Sequence, residues 1–85
     1  MEAKQWTVQI YITEEGDDTS ARAVLSTRDK THMTGVGHAR RNPADQPAPE
    51  IGDELAVARA LSDLGNRLLT VTSEDIAQFT GPTSW

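Results

Sequence analysis

The chain has 85 residues, 13 acids against 8 bases, a net charge of −5 and no cysteine. That length suits one small domain. With no cysteine there are no disulfides, thiolate metal sites, Fe–S clusters or cysteine nucleophiles, a usage that fits a reducing, cytoplasmic setting. Leu, Ile, Val and Phe make up only 16 of the 85 residues, close to the level at which disorder becomes the default, so patterning has to decide whether the chain folds. No apolar run is long enough to span a membrane. The opening Met1-Glu2-Ala3-Lys4-Gln5 leads into alternation, not into the apolar stretch of a secretory signal.

Residues 6–13 place Trp6, Val8, Ile10 and Ile12 on one side and Thr7, Gln9, Tyr11 and Thr13 on the other. Period-two alternation of β-branched and aromatic residues predicts a strand, here over about 5–14. Glu14-Glu15-Gly16-Asp17-Asp18 ends it as a polar turn. A second strand is predicted over about 20–27, with Ala21, Ala23 and Leu25 facing in, followed by the charged turn Arg28-Asp29-Lys30. A third, over about 31–40, sets Met33, Gly35, Gly37 and Ala39 on one face. Two glycines beside an alanine predict a shallow trough where a helix can lie. The short connections predict an antiparallel meander.

Residues 42–50 carry three prolines and form a fairly stiff connector. An amphipathic helix is predicted over about 53–79, with Val57, Leu61, Leu64, Leu68 and Val71 in its stripe and Leu55, Ala58 and Leu69 widening it. The poor helix formers Thr70-Val71-Thr72-Ser73 leave a kink or second start at Ser73 as the alternative to one continuous helix. Gly81-Pro82 stops it, and 80–85 is a loose tail. The expected fold is α+β: one domain over 1–85, β-β-β-α, a three-stranded meander with one helix on one face and a core of roughly fifteen inward-facing residues.

Charge is unevenly spread. Residues 1–18 carry net −4, residues 19–41 net +4 and residues 42–85 net −5. The alternation puts Arg22, His32, His38 and Arg40 on the sheet face away from the helix, with Thr7, Gln9 and Tyr11. Such a face either pairs with nearby acids in solvent or contacts phosphate locally and salt-sensitively. The candidate contact residues are Arg22, Arg28, Lys30, His38, Arg40 and Arg41.

No catalytic set emerges. Gly35-Val36-Gly37 lacks the third glycine and the strand-to-helix placement of a dinucleotide loop. His32 and His38 lie about 20 Å apart along one strand and cannot share a metal within one chain. Glu14, Glu15, Asp17 and Asp18 lack calcium-loop spacing. Ser20, Ser26, Ser62, Ser73 and Ser84 carry no nucleophile signature. Three strands and one helix offer little concave volume. The chain is read as non-enzymatic, with no cofactor, no metal and no small-molecule substrate.

Two stretches carry a resemblance: Thr34-Gly35-Val36-Gly37-His38-Ala39-Arg40-Arg41-Asn42-Pro43-Ala44-Asp45, and Pro49-Glu50-Ile51-Gly52-Asp53-Glu54-Leu55-Ala56-Val57-Ala58-Arg59-Ala60-Leu61-Ser62-Asp63-Leu64. With the opening strand they resemble a family of short actinobacterial proteins classed as a domain of unknown function, over roughly residues 4–79. The resemblance implies a dsRBD-like sheet-and-helix fold and pairing as homodimers, and carries over no catalytic residue. The β-β-β-α order is also similar to the later part of ribosome hibernation factors, without their leading strand and helix. Two functions are expected from this: a small self-associating interaction module, with a role in stress, or a binder of ribosomes or structured RNA of hibernation type that uses the basic segment.

Overall fold

A computed structural model describes residues 1–28, 32–42, 44 and 48–80. Three strands, β1 (Thr7–Glu15), β2 (Asp18–Ser26) and β3 (His32–Arg40), are followed by one helix, α1 (Pro49–Thr80). The strands form an antiparallel sheet in the order β1-β2-β3. The expected α+β meander with a C-terminal helix is the observed fold. Gly16, at φ 61°, begins the two-residue connection between the paired residues Glu15 and Asp18, a position where hairpins favour glycine. The turn charges Asp29 and Lys30, the connector residues Pro43 and Asp45-Gln46-Pro47, and the tail 81–85 lie outside the described residues.

α1 differs from expectation at its start. It begins at Pro49 rather than near Asp53, taking in the end of the proline-rich connector. A proline in the first helical turn loses no intrahelical bond and already has helical φ, and the Ile51 amide donates to the Ala48 carbonyl at 3.0 Å. The helix then runs through Thr70–Ser73 without a second start. The Thr70 hydroxyl donates to the Asn66 carbonyl (3.1 Å) and the Thr72 hydroxyl to the Leu68 carbonyl (2.8 Å), so two poor helix formers direct their polar atoms into the helix itself.

The core is smaller than expected and centred elsewhere. Its buried apolar residues are Ala21, Ala23, Leu25 and Ala39 from the sheet and Ala56, Ala60 and Leu64 from α1, with Met33, Val57 and Leu68 packed partly against them. Ala56 and Ala60 outrank the larger residues of the expected stripe. Leu55, Leu61, Leu69 and Val71 are exposed, as is Ala58. The reason is the trough. A Cβ on Gly37 would overlap the backbone of Ala56, Arg59 and Ala60, and one on Gly35 the backbone of Ala60 and Leu64. The helix therefore lies directly on the β3 backbone, and alanines fill the space where it crosses the sheet most closely.

That seating carries α1 over β2 and β3 and away from β1. Val8, Ile10 and Ile12 face the helix side, opposite Leu25, Ala23 and Ala21, yet remain 41, 40 and 45% exposed. Every residue of β1 is exposed. Thirty-two helical residues span about 48 Å against about 30 Å for a nine-residue strand, so α1 overruns the sheet, and residues 69–75 are all exposed.

Two glycine substitutions should move stability in opposite directions in urea denaturation. Gly37→Ala forces backbone off backbone and should lower stability by roughly 1–3 kcal/mol. Gly65→Ala has open space around its new methyl and should raise stability by up to about 1 kcal/mol through helix propensity. An unchanged midpoint for Gly37→Ala would contradict the close seating.

Candidate interaction surfaces

The close seating brings one flank of α1 over the outer edge of β3. The Val36 amide donates to Asp63 Oδ2 at 2.9 Å, and Arg59 Nη1 donates to the His38 carbonyl at 2.7 Å. Arg67 Nε also donates to Asp63 Oδ2, at 3.0 Å. These contacts occupy backbone groups that an edge strand would otherwise offer to another chain. The Val36 amide and Arg67 together hold the Asp63 carboxyl below its ordinary value. Asp63 and Arg59 were not among the sequence candidates. Their only signal is a charge pair four residues apart on the helix flank.

The opposite edge has no such cover among the described residues. Because the Val36 amide points away from β2, its partner Arg22 turns its backbone groups toward β1, onto Tyr11. By alternation, the N–H and C=O of Val8, Ile10, Ile12 and Glu14 point outward from the sheet. One stretch of chain thus combines an unpaired backbone edge with an uncovered apolar row. The helix flank away from Asp63 and Arg59, at 100° per residue, carries Val57, Leu61 and Leu68 and forms the other wall of this apolar strip.

The basic candidates do not form one patch. Arg22, His38 and Arg40 share the open sheet face, as the alternation implies. The Arg22 guanidinium lies 4.8 Å from the centre of the Tyr11 ring, whose hydroxyl donates to Gln9 Oε1 at 3.0 Å. Ser20 Oγ and His38 Nδ1 are hydrogen-bonded at 3.1 Å, as are Ser26 Oγ and His32 Nδ1. Arg40 Nε lies 3.8 Å from Asp18 Oδ1, both side chains well exposed, a weak pair. Arg41 turns to the hairpin: its amide donates to the Asp17 carbonyl at 2.8 Å, and Nε and Nη2 reach Asp17 Oδ1 at 3.0 and 2.6 Å. Arg28 is exposed beyond the far end of β2, and Lys30 lies outside the described residues. The segmental charge contrast of the sequence is partly closed in space, since the acidic hairpin meets the basic end of β3.

A shallow cavity of about 360 Å³ opens at the hairpin end, between Gly16, Thr19 and Arg41 on one side and Pro49, Gly52 and Leu55 on the other. Among the described residues no group of three or more His, Asp or Glu side chains could hold a metal ion. No helix among them is long and apolar enough to cross a membrane. Glu14, on this rim, shares a hydrogen bond with Asp53, and the like charge of Asp53 adds to it, holding Glu14 above its ordinary value. Asp53 Oδ1 is itself buried without a donor. A carboxyl whose folded value is raised contributes stability below its unfolded value and loses it as pH rises through the folded one. Asp53→Asn should therefore raise the melting temperature at pH 7 and have little effect near pH 3.5. A penalty at pH 7 would contradict the repulsive pair.

Comparison with known proteins places the chain. Residues 4–84 match the family model described as Rv2632c-like. The uncharacterized protein Mb1767 of Mycobacterium bovis is 56% identical over 77 residues, covering 91% of this chain and 81% of that one. The uncharacterized protein Rv2632c of Mycobacterium tuberculosis is 52% identical over 69 residues, covering 81% and 73%. The crystal structure of Rv2632c superposes with a TM-score of 0.86 at 48% identity, over 94% of each chain. The actinobacterial resemblance read from the two sequence stretches is thereby made specific: the chain belongs to the Rv2632c-like family of mycobacterial proteins.

Proposed function

We propose that this protein is a small non-catalytic interaction module that works by self-association in the cytoplasm, with β1 as its contact surface. The carrying observation is the asymmetry of the sheet. Asp63 and Arg59 close the β3 edge, whereas β1 is exposed along its whole length with Val8, Ile10 and Ile12 uncovered. An open apolar edge strand is a ready template for a further strand. A domain this short leaves much apolar surface in water, and a second copy is the simplest cover. A role in stress accompanies this reading as part of the same proposal. Light scattering tests it: the protein should be a dimer at tens of micromolar. Ile10→Lys, which charges the middle of the apolar row outside the core, should give a folded monomer. A wild-type monomer at that concentration would overturn the reading.

A second reading has its own observation. Arg22 stacked on Tyr11, with His38 and Arg40 on the same flat face, offers cations and one aromatic ring to a phosphate backbone. It supports a ribosome- or structured-RNA-binding role of hibernation type for this β-β-β-α, dsRBD-like fold. Ribosome co-sedimentation at low salt should then fall on raising salt and fall further with Arg22→Glu. No co-sedimentation at low salt would remove this reading.

A further inference from the structure

Resting on self-association through β1, we infer that two copies pair antiparallel about Gln9, so that Lys4 of each protomer faces the partner's Glu14. The β1 segment is chemically complementary to itself. A symmetric dimer brings the same surface of both copies together. Antiparallel pairing of β1 with itself sets residue i against a partner residue at a fixed sum of numbers. The helix-side residues of β1 are Val8, Ile10, Ile12 and Glu14, and carrying the same alternation back along the sequence ahead of the strand adds Trp6 and Lys4.

Pairing about Gln9 matches this row chemically from end to end. Val8 meets the partner's Ile10, Trp6 meets the partner's Ile12, and Lys4 meets the partner's Glu14, each twice by symmetry. The outward-pointing backbone groups of Val8 and Ile10 then bond to each other across the dyad. Neighbouring registers fail. About Ile10, Glu14 meets the partner's Trp6 and Lys4 meets the partner's Gly16. About Val8, Lys4 meets the partner's Ile12 and Glu2 meets the partner's Glu14. About Tyr11, Glu14 meets the partner's Val8. About Thr7, Ile10 meets the partner's Lys4. Only the register about Gln9 sets every apolar residue on an apolar one and opposite charges together.

The Glu14 end independently calls for a cation. Glu14 lies against Asp53, whose like charge crowds it, and Asp53 Oδ1 is buried with no donor. An ammonium delivered by the partner would relieve two crowded carboxyls. At the dyad, Gln9 faces the partner's Gln9 on the open sheet face as a non-hydrogen-bonded pair, with Cα atoms about 4.5 Å apart, within disulfide range.

The native chain has no cysteine, so an introduced thiol reports alone. Under mild oxidation Gln9→Cys should cross-link to itself in high yield. Ile10→Cys and the exposed helix control Ser62→Cys should not. Lys4→Glu should weaken dimerisation by about tenfold, a fold-change that suits two reversed cross-strand charge pairs, and Lys4→Glu with Glu14→Lys should restore it. Those results support the register. A dimer by light scattering in which Gln9→Cys stays unlinked, or in which Ile10→Cys links instead, overturns the register and leaves self-association standing. A protein that is monomeric throughout overturns both.

Discussion

The contact of α1 with the bare backbone of β3 at Gly35 and Gly37 fixes the remainder of the molecule. Wherever a side chain stood at either position it would meet helix backbone, not a movable side chain. Removing both Cβ atoms lets α1 settle onto β3, with Ala56 and Ala60 beneath it. A helix held that close cannot also cover a third strand, since neighbouring strands lie about 4.8 Å apart and a helix is about 10 Å wide. The core is therefore shared by β2, β3 and α1, and β1 is held by its ladder to β2.

From the same seating comes the difference between the two sheet edges. The flank that overhangs β3 carries Arg59 and Asp63, which bond to the His38 carbonyl and the Val36 amide. Edge strands invite unwanted pairing unless they are charged, bulged or covered. β3 is covered. β1 carries no such device between Trp6 and Thr13: its side chains there are uncharged and alternate regularly. With the other edge closed, that exposed apolar strand is what supports the proposed self-association through one side of the sheet.

Much of this was legible in the sequence. Alternation located all three strands, the polar run around Gly16 marked the first hairpin turn, and the glycine pair on one face of β3 announced the helix trough. The misplacements have physical causes. Periodicity marks a residue as facing the helix side but not as covered, so Val8, Ile10 and Ile12 entered an expected core they do not join. Large side chains dominate a hydrophobic stripe on paper, whereas a glycine trough rewards small ones, so Ala56 and Ala60 displaced Leu61 and Leu69. Pro49 reads as a break from composition alone but suits a first helical turn. Ion pairs across the meander, such as Arg41 with Asp17, depend on which ends of the strands meet, and a block count of charge along the chain cannot express that.

Amide hydrogen exchange followed against protein concentration tests the central claim most directly, because it reads each edge at single residues. With the helix closing β3 and a second copy closing β1, the Val36 amide is protected at every concentration, while the Ile10 amide exchanges freely in dilute solution and slows as concentration rises. An Ile10 amide as protected as that of Val36 in dilute monomer, or one that stays unprotected at high concentration, would contradict the account.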